Sequence, residues 1–137
     1  MKKISILLPY KENFSPRYAG AVSLLVNDTV LLSKYKKNTT VYGSTDFKEK
    51  FYGNYKNINV SKYFFESSNI KYAENFLKLE KKNKSDLVEI HNRPAVFNYL
   101  TRKIDTKRKL ILYFHNDPLS LRGSLTKNQR LNILNQA

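Results

Sequence analysis

The stretch Leu110-Ile111-Leu112-Tyr113-Phe114-His115-Asn116-Asp117-Pro118 joins five apolar or aromatic residues to four polar or turn-forming ones. A short continuous apolar run bounded by turn residues reads as a strand buried on both faces, the kind found in parallel sheets covered by helices. Ligands of such sheets lie in the crevice beyond the carboxyl ends of the strands. His115, Asn116 and Asp117 would stand at that edge. Upstream, Asp86-Leu87-Val88-Glu89-Ile90 runs into His91-Asn92-Arg93-Pro94 in the same way. The two histidines of the chain therefore each close an expected strand.

Working outward, Ile4 to Leu8 reads as the first strand, followed by a polar loop from Pro9 to Tyr18. Ala19-Gly20-Ala21 opens a helix to about Lys34. In it Val22, Leu25, Val26 and Val30 keep the helical period, and Ala21, Leu24 and Leu31 widen the stripe toward full burial. Thr39 to Tyr42 is a β-branched and aromatic run ended by Gly43-Ser44, a second strand. The segment from Asp46 to Asn57 is charged, aromatic and without clear period, and Ile58 to Val60 is the expected short strand. Ile70 to Lys82 is amphipathic, with Ile70, Ala73, Phe76 and Leu77 on one side and a Glu74–Lys78 pair on its surface. Pro94 suits the first position of a helix, whose inner face would carry Val96, Leu100 and Ile104. Thr126 and Gln129 have capping-box spacing for a last helix with Leu131 and Leu134 inward.

Strand and helix alternate, which predicts an α/β Rossmann-like three-layer sandwich with a mostly parallel sheet. The chain stops at Asn135-Gln136-Ala137 with no strand to use that last helix as a crossover. The expectation is an incomplete sheet, part of a larger polypeptide.

Composition narrows the classes. A chain of 137 residues with 41% hydrophobic content and few Gly and Pro is one ordered domain's worth. It has no Cys, so disulfides and thiolate metal sites are excluded. The amino end Met1-Lys2-Lys3-Ile4-Ser5-Ile6-Leu7-Leu8-Pro9 has too short an apolar run for a signal peptide, and Lys11-Glu12 follow at once. The expected location is cytoplasmic. A net charge of +14 raises nucleic acid or an anionic membrane as partners. The lysines come in scattered pairs such as Lys36-Lys37 and Lys81-Lys82, with no RNA-binding aromatic signature or helix-turn-helix. Specific nucleic-acid binding is therefore not expected, and the charge adds at most attraction to the inner membrane face.

Three loops should meet at the carboxyl edge. The first ends in Ala19-Gly20-Ala21, where glycine at a helix start admits a close ligand and the helix terminus favours an anion. The second carries His91, Asn92 and Arg93. The third carries His115, Asn116 and Asp117, and further on Arg122 and Gly123. Histidine and aspartate serve as acid or base or hold sugar hydroxyls, and the arginines suit phosphate. Each also has a plain structural reading: close packing for Gly20, strand-end capping for the histidines, solvated surface for the arginines. There is no G-x-G-x-x-G, no Walker lysine and no G-x-S-x-G elbow, which argues against dinucleotide, P-loop and serine-hydrolase chemistry. A zinc site from His91, His115 and Asp117 lacks any close ligand spacing. Neither metal nor cofactor is expected.

At these residues the chain resembles the amino-terminal domain of GT-B glycosyltransferases of the family 4 type. The matching pieces are the Ile4–Pro9 strand, the loop Ala19-Gly20-Ala21, the strand end Asp86-Leu87-Val88-Glu89-Ile90-His91, the strand end Tyr113-Phe114-His115-Asn116-Asp117-Pro118, and Arg122-Gly123-Ser124. The resemblance spans nearly the whole chain but only the first half of such an enzyme. It implies an acceptor-side Rossmann-like domain facing a carboxy-terminal donor domain, and hexosyl transfer from a nucleotide-sugar to a lipid-linked or polysaccharide acceptor without a required metal. It implies Gly20 and Ala19 near the donor diphosphate, His115 as the catalytic residue beside the transferred sugar, and His91, Asn92, Arg93, Asn116 and Asp117 on the acceptor side. The family loop usually has two adjacent glycines, where this chain has Ala19 and Gly20, and Val22 stands in the place of a common acidic residue. Two other classes compete: a non-enzymatic basic module for nucleic acid or anionic membrane, and a small flavodoxin-like regulator.

Overall fold

The structure is a computed structural model and describes residues 1–51, 53–62, 67–117 and 126–136. Its elements are β1 (Ile4–Leu7), α1 (Ala21–Leu32), a 3-10 turn (Lys36–Asn38), β2 (Thr39–Gly43), β3 (Asn54–Asn57), α2 (Ser68–Glu80), β4 (Leu87–His91), α3 (Pro94–Thr101), β5 (Lys109–Tyr113) and α4 (Lys127–Gln136). The five strands form one sheet in the order β3-β2-β1-β4-β5, and every neighbouring pair is parallel. The chain is an α/β protein with a Rossmann-like three-layer arrangement.

Side chains alternate across a strand, and the register sorts them into two faces. Ile4 pairs with Thr39 and Leu87, so Ile6, Val41 and Glu89 share one face while Leu7, Tyr42 and Ile90 share the other. The first face carries α1, whose Val22, Val26 and Val30 pack on Ile6, Leu8 and Val41. The second face carries α2, α3 and α4 through Tyr72, Phe76, Val96, Phe97, Leu100 and Ile133, packed with Leu7, Tyr42, Val88 and Ile90. Each such side chain contributes roughly 1.5–3 kcal/mol by leaving water, so this second face holds most of the core. Among the described residues no helix is long and apolar enough to cross a membrane.

Several expectations need correction. The third strand is Asn54–Asn57, and Ile58 to Val60 is not one. A polar edge strand has no apolar period to read, and Ile58 is buried just past it, its N–H bonded to the Gly43 carbonyl. The strand β5 is not buried on both faces: it lies at the sheet edge, with Ile111 42% and Tyr113 46% exposed on the face beyond the reach of α1. Helix α1 buries only Val22, Ser23, Val26, Asn27 and Val30, and leaves Leu24, Leu25, Leu31 and Leu32 exposed. A single sheet face covers one stripe of a helix, whatever the residues on its other sides. In α4 it is Ile133 that points inward, while Leu131 and Leu134 are exposed. The capping box that opens α4 is formed: the Thr126 hydroxyl accepts from the Gln129 N–H, and the Gln129 side chain accepts from the Thr126 N–H. On α2 the expected Glu74–Lys78 pair is replaced by Lys71–Glu74 at 3.2 Å. Tyr72 and Glu80 of α2 are buried as well.

Candidate functional site

The strand order reverses between β1 and β4, and in such sheets the crevice at that switch point is where ligands bind. Its walls are the loop after β1 and the turn after β4, with the turn after β5 alongside. The end of β1 is held firmly. The Tyr72 hydroxyl, fully buried, donates to the Leu8 carbonyl at 2.9 Å, and burial pushes its pKa well above the usual tyrosine value. Lys11 adopts φ 68°, with its N–H on the Ser44 hydroxyl at 2.7 Å. Asn92, just past β4, adopts φ 55°. Left-handed backbone at residues other than glycine is uncommon and gathers at functional sites, and of the three such residues among those described two flank this crevice.

The loop after β1 returns Glu12 to the start of α1. Its carboxylate accepts the Ser23 N–H at 3.0 Å, a first-turn donor with no partner inside the helix. Gly20 lies directly beneath: a Cβ built on it would sit 2.8 Å from the Glu12 Cδ. The anion position expected beside Gly20 and Ala19 is thus taken by a carboxylate of the chain itself, and Gly20 is needed for that close approach.

The two histidines meet. His91 Nδ1 and His115 Nε2 are 2.6 Å apart, and the rings stack at 4.9 Å between centroids. The period of β4 puts Glu89 on the same side as His91, and the Glu89 carboxylate lies 2.7 Å from His91 Nε2. The β4–β5 register sets Tyr113 beside His91, with ring centroids 5.3 Å apart. His91 is only 2% exposed, and both of its ring nitrogens are engaged. His115 is half-buried at the carboxyl end of the next strand, its ring against those of His91 and Tyr113. Its backbone N–H donates to the Asn92 side chain at 2.9 Å, and the Asn92 N–H donates to the Tyr113 carbonyl. Burial, and after it the neighbouring His91, pull the His115 pKa below the ordinary histidine value, while the Glu12 and Glu89 carboxylates pull it back up.

The remaining expected site residues lie around this centre. Arg93 caps α3, and its guanidinium donates to the Asn92 carbonyl at 3.2 Å. Asn116 and Asp117 are exposed just beyond β5. Arg122, Gly123 and Ser124 lie outside the described residues. Beside the crevice, a cavity of about 290 Å³ is lined by Tyr10, Lys11, Lys62, Ser68 and Lys71, with Lys71 paired to Glu74. Among the described residues no three His, Cys, Asp or Glu side chains gather as a metal site.

Sequence reasoning passed over Glu12 and Glu89. The spacing of Glu89 two residues before His91 on a strand is a readable signal for a same-face partner. Glu12 sits in an irregular loop and leaves no such signal. A scan against protein-family models and searches of curated proteins and of solved structures found no match to this chain.

Proposed function

We propose that this chain is the acceptor-side domain of a hexosyltransferase of the GT-B family 4 type, acting on a nucleotide-sugar and a lipid-linked or polysaccharide acceptor in cell-envelope glycan synthesis. One observation carries the reading: the His115–His91 pair stands at the carboxyl edge of a parallel sheet beside its switch point, within electrostatic reach of Glu12 from the loop that packs on Gly20. The crevice at that switch point is where this class of fold takes its ligand. In this reading His115 holds a hydroxyl of the transferred sugar, and Asn92 fixes its backbone. Lys11 and Lys62 beside the crevice suit the phosphate of a lipid-linked acceptor, and the charge of +14 would draw the protein to the inner, anionic membrane face. Facing this wall, a second domain would hold the donor. Without it donor and acceptor are not brought into reacting geometry, so the 137-residue chain alone is expected to transfer no sugar.

The test is transfer of labelled hexose from UDP-glucose or GDP-mannose to lipid or polysaccharide acceptors by the enzyme that carries this domain. A hydrogen bond that gains charge in the transition state is worth roughly 1.5–3 kcal/mol, so His115→Ala should lower turnover on the order of ten- to a hundredfold. Loss of the hydrogen bond to the buried His91 ring should cost about 1–3 kcal/mol of stability, so turnover is compared per folded molecule. Undiminished turnover in folded His115→Ala protein would remove the assignment.

The net charge supports one rival, a basic module on nucleic acid or anionic membrane. It would bind polyanions in a strongly salt-dependent way, and that binding would survive loss of both histidines.

A further inference from the structure

Glu89, His91 and His115 form a chain of hydrogen bonds that runs along the sheet to its carboxyl edge. A carboxylate only accepts, so the proton between Glu89 and His91 belongs to His91 Nε2. In the neutral form of His91 the single N–H is the one on Nε2, and Nδ1 is then a bare acceptor. The proton in the 2.6 Å contact between the rings must then come from His115 Nε2. That in turn leaves His115 Nδ1 without a proton, and no described residue bonds to it.

We infer that Glu89, through His91, sets the tautomer of His115, so that the crevice is offered an acceptor nitrogen whose partner is a hydroxyl rather than a phosphate oxygen. Glu89 and His91 are positioning residues in this scheme, and His115 is the group that touches the ligand. The choice of a hydroxyl rests on the reading of the crevice as a saccharide site; the tautomer itself does not. An oxygen of a phosphodiester or of a nucleotide-sugar diphosphate carries no proton to give at neutral pH, so two acceptors would face each other without a bond. A sugar hydroxyl supplies the missing proton. The depressed His115 pKa keeps this acceptor unprotonated near neutrality, against the opposing pull of Glu12 from the β1–α1 loop and Glu89 from β4.

The arrangement has a consequence for Glu12 as well. Its carboxylate already occupies the anion position at the start of α1. A phosphate placed there would meet a like charge, which agrees with a hydroxyl-bearing ligand at the start of α1.

Long-range nitrogen–proton correlation spectra of the isotopically labelled chain near neutral pH read ring tautomers directly, with no ligand present. Both histidines are expected as the Nε2–H form, with His115 Nδ1 at the shift of an unprotonated nitrogen. In Glu89→Leu the order should be lost, with His115 averaging over both tautomers. A wild-type His115 that carries its proton on Nδ1 overturns the inference, and so does an unchanged His115 signature in folded Glu89→Leu. The wild-type measurement decides even where the variant fails to fold. Methyl α-glucoside and dimethyl phosphate, a diester with no proton to donate, then separate the ligand classes. The sugar is expected to shift His115 Nδ1 and the diester to leave it. A shift from the diester alone would contradict the hydroxyl preference while leaving the tautomer standing.

Discussion

His115 follows an edge strand, is half-buried, and is held neutral by burial and by a second imidazole. That has a definite pH consequence. Well above pH 6.5 the ring is uncharged in folded and unfolded chains alike, and its stabilising share is complete. As pH falls from 6.5 toward the lowered value, the unfolded chain takes up a proton that the folded chain refuses, so stability drops across that window. Wild type should therefore lose more melting temperature than His115→Gln between about pH 7.5 and about pH 5. Equal losses would show that the ring is not desolvated. Glu80 is a second residue with a large expected effect. It is buried, and its carboxylate accepts from the Ser85 N–H and hydroxyl and from Arg108. Glu80→Ala leaves the Arg108 charge without its carboxylate, held only by the Ser85 carbonyl and hydroxyl, and strands two Ser85 donors, and by comparison with other buried pairs it should cost about 3–5 kcal/mol in urea unfolding. This network gathers the end of α2, the start of β4 and the turn before β5, at the opposite end of the sheet from the crevice, so ligand-induced shifts at His115 should persist in any folded fraction. His115 and His91 were legible because a polar residue stood where an apolar run broke off. Glu80 was not, because a glutamate at the end of an amphipathic helix reads as surface.

At the scale of elements, α1 depends on a cap from outside itself. Its N-cap is Gly20, which has no side chain to offer, and Glu12 supplies the missing acceptor. Losing such a cap costs about 1 kcal/mol. Glu12→Ala and Gly20→Ala should each cost about that much, the second by pushing the carboxylate off the helix end. The double variant should cost about as much as either alone, because both remove one interaction. Simple additivity in denaturant melts would sink this account of Gly20. Helix α4 gives a cleaner contrast. Ile133→Ala should cost about 2–5 kcal/mol and Leu134→Ala less than about 0.5 kcal/mol, since Ile133 is 1% and Leu134 63% exposed. The sequence pattern pointed to Leu131 and Leu134 because leucine usually marks the inner face. Tertiary docking against α3 decided otherwise, through Ile133. Strands β1, β2, β4 and β5 were legible for the opposite reason, their β-branched and aliphatic runs being short and bounded by turns. β3 was not, since Asn54-Tyr55-Lys56-Asn57 borrows its regularity from its pairing with β2.

At the scale of the whole molecule, two properties pull toward different functions. The topology focuses attention on one crevice, and the net charge of +14 spreads attraction over the surface. Salt separates them, because surface attraction to a polyanion weakens steeply with ionic strength while a hydrogen-bonded saccharide site hardly responds. The most direct measurement of the central claim is amide and imidazole shift mapping on the 137-residue chain, at low and high salt. The probes are UDP-glucose, GDP-mannose, an oligosaccharide and an RNA oligonucleotide. The account predicts that a saccharide moves Gly20 to Ser23, His91 to Arg93 and His115 to Asp117, that these shifts survive high salt, and that His115→Ala abolishes them. Shifts from RNA alone, scattered over the lysines, erased by salt and indifferent to both histidines, would contradict it.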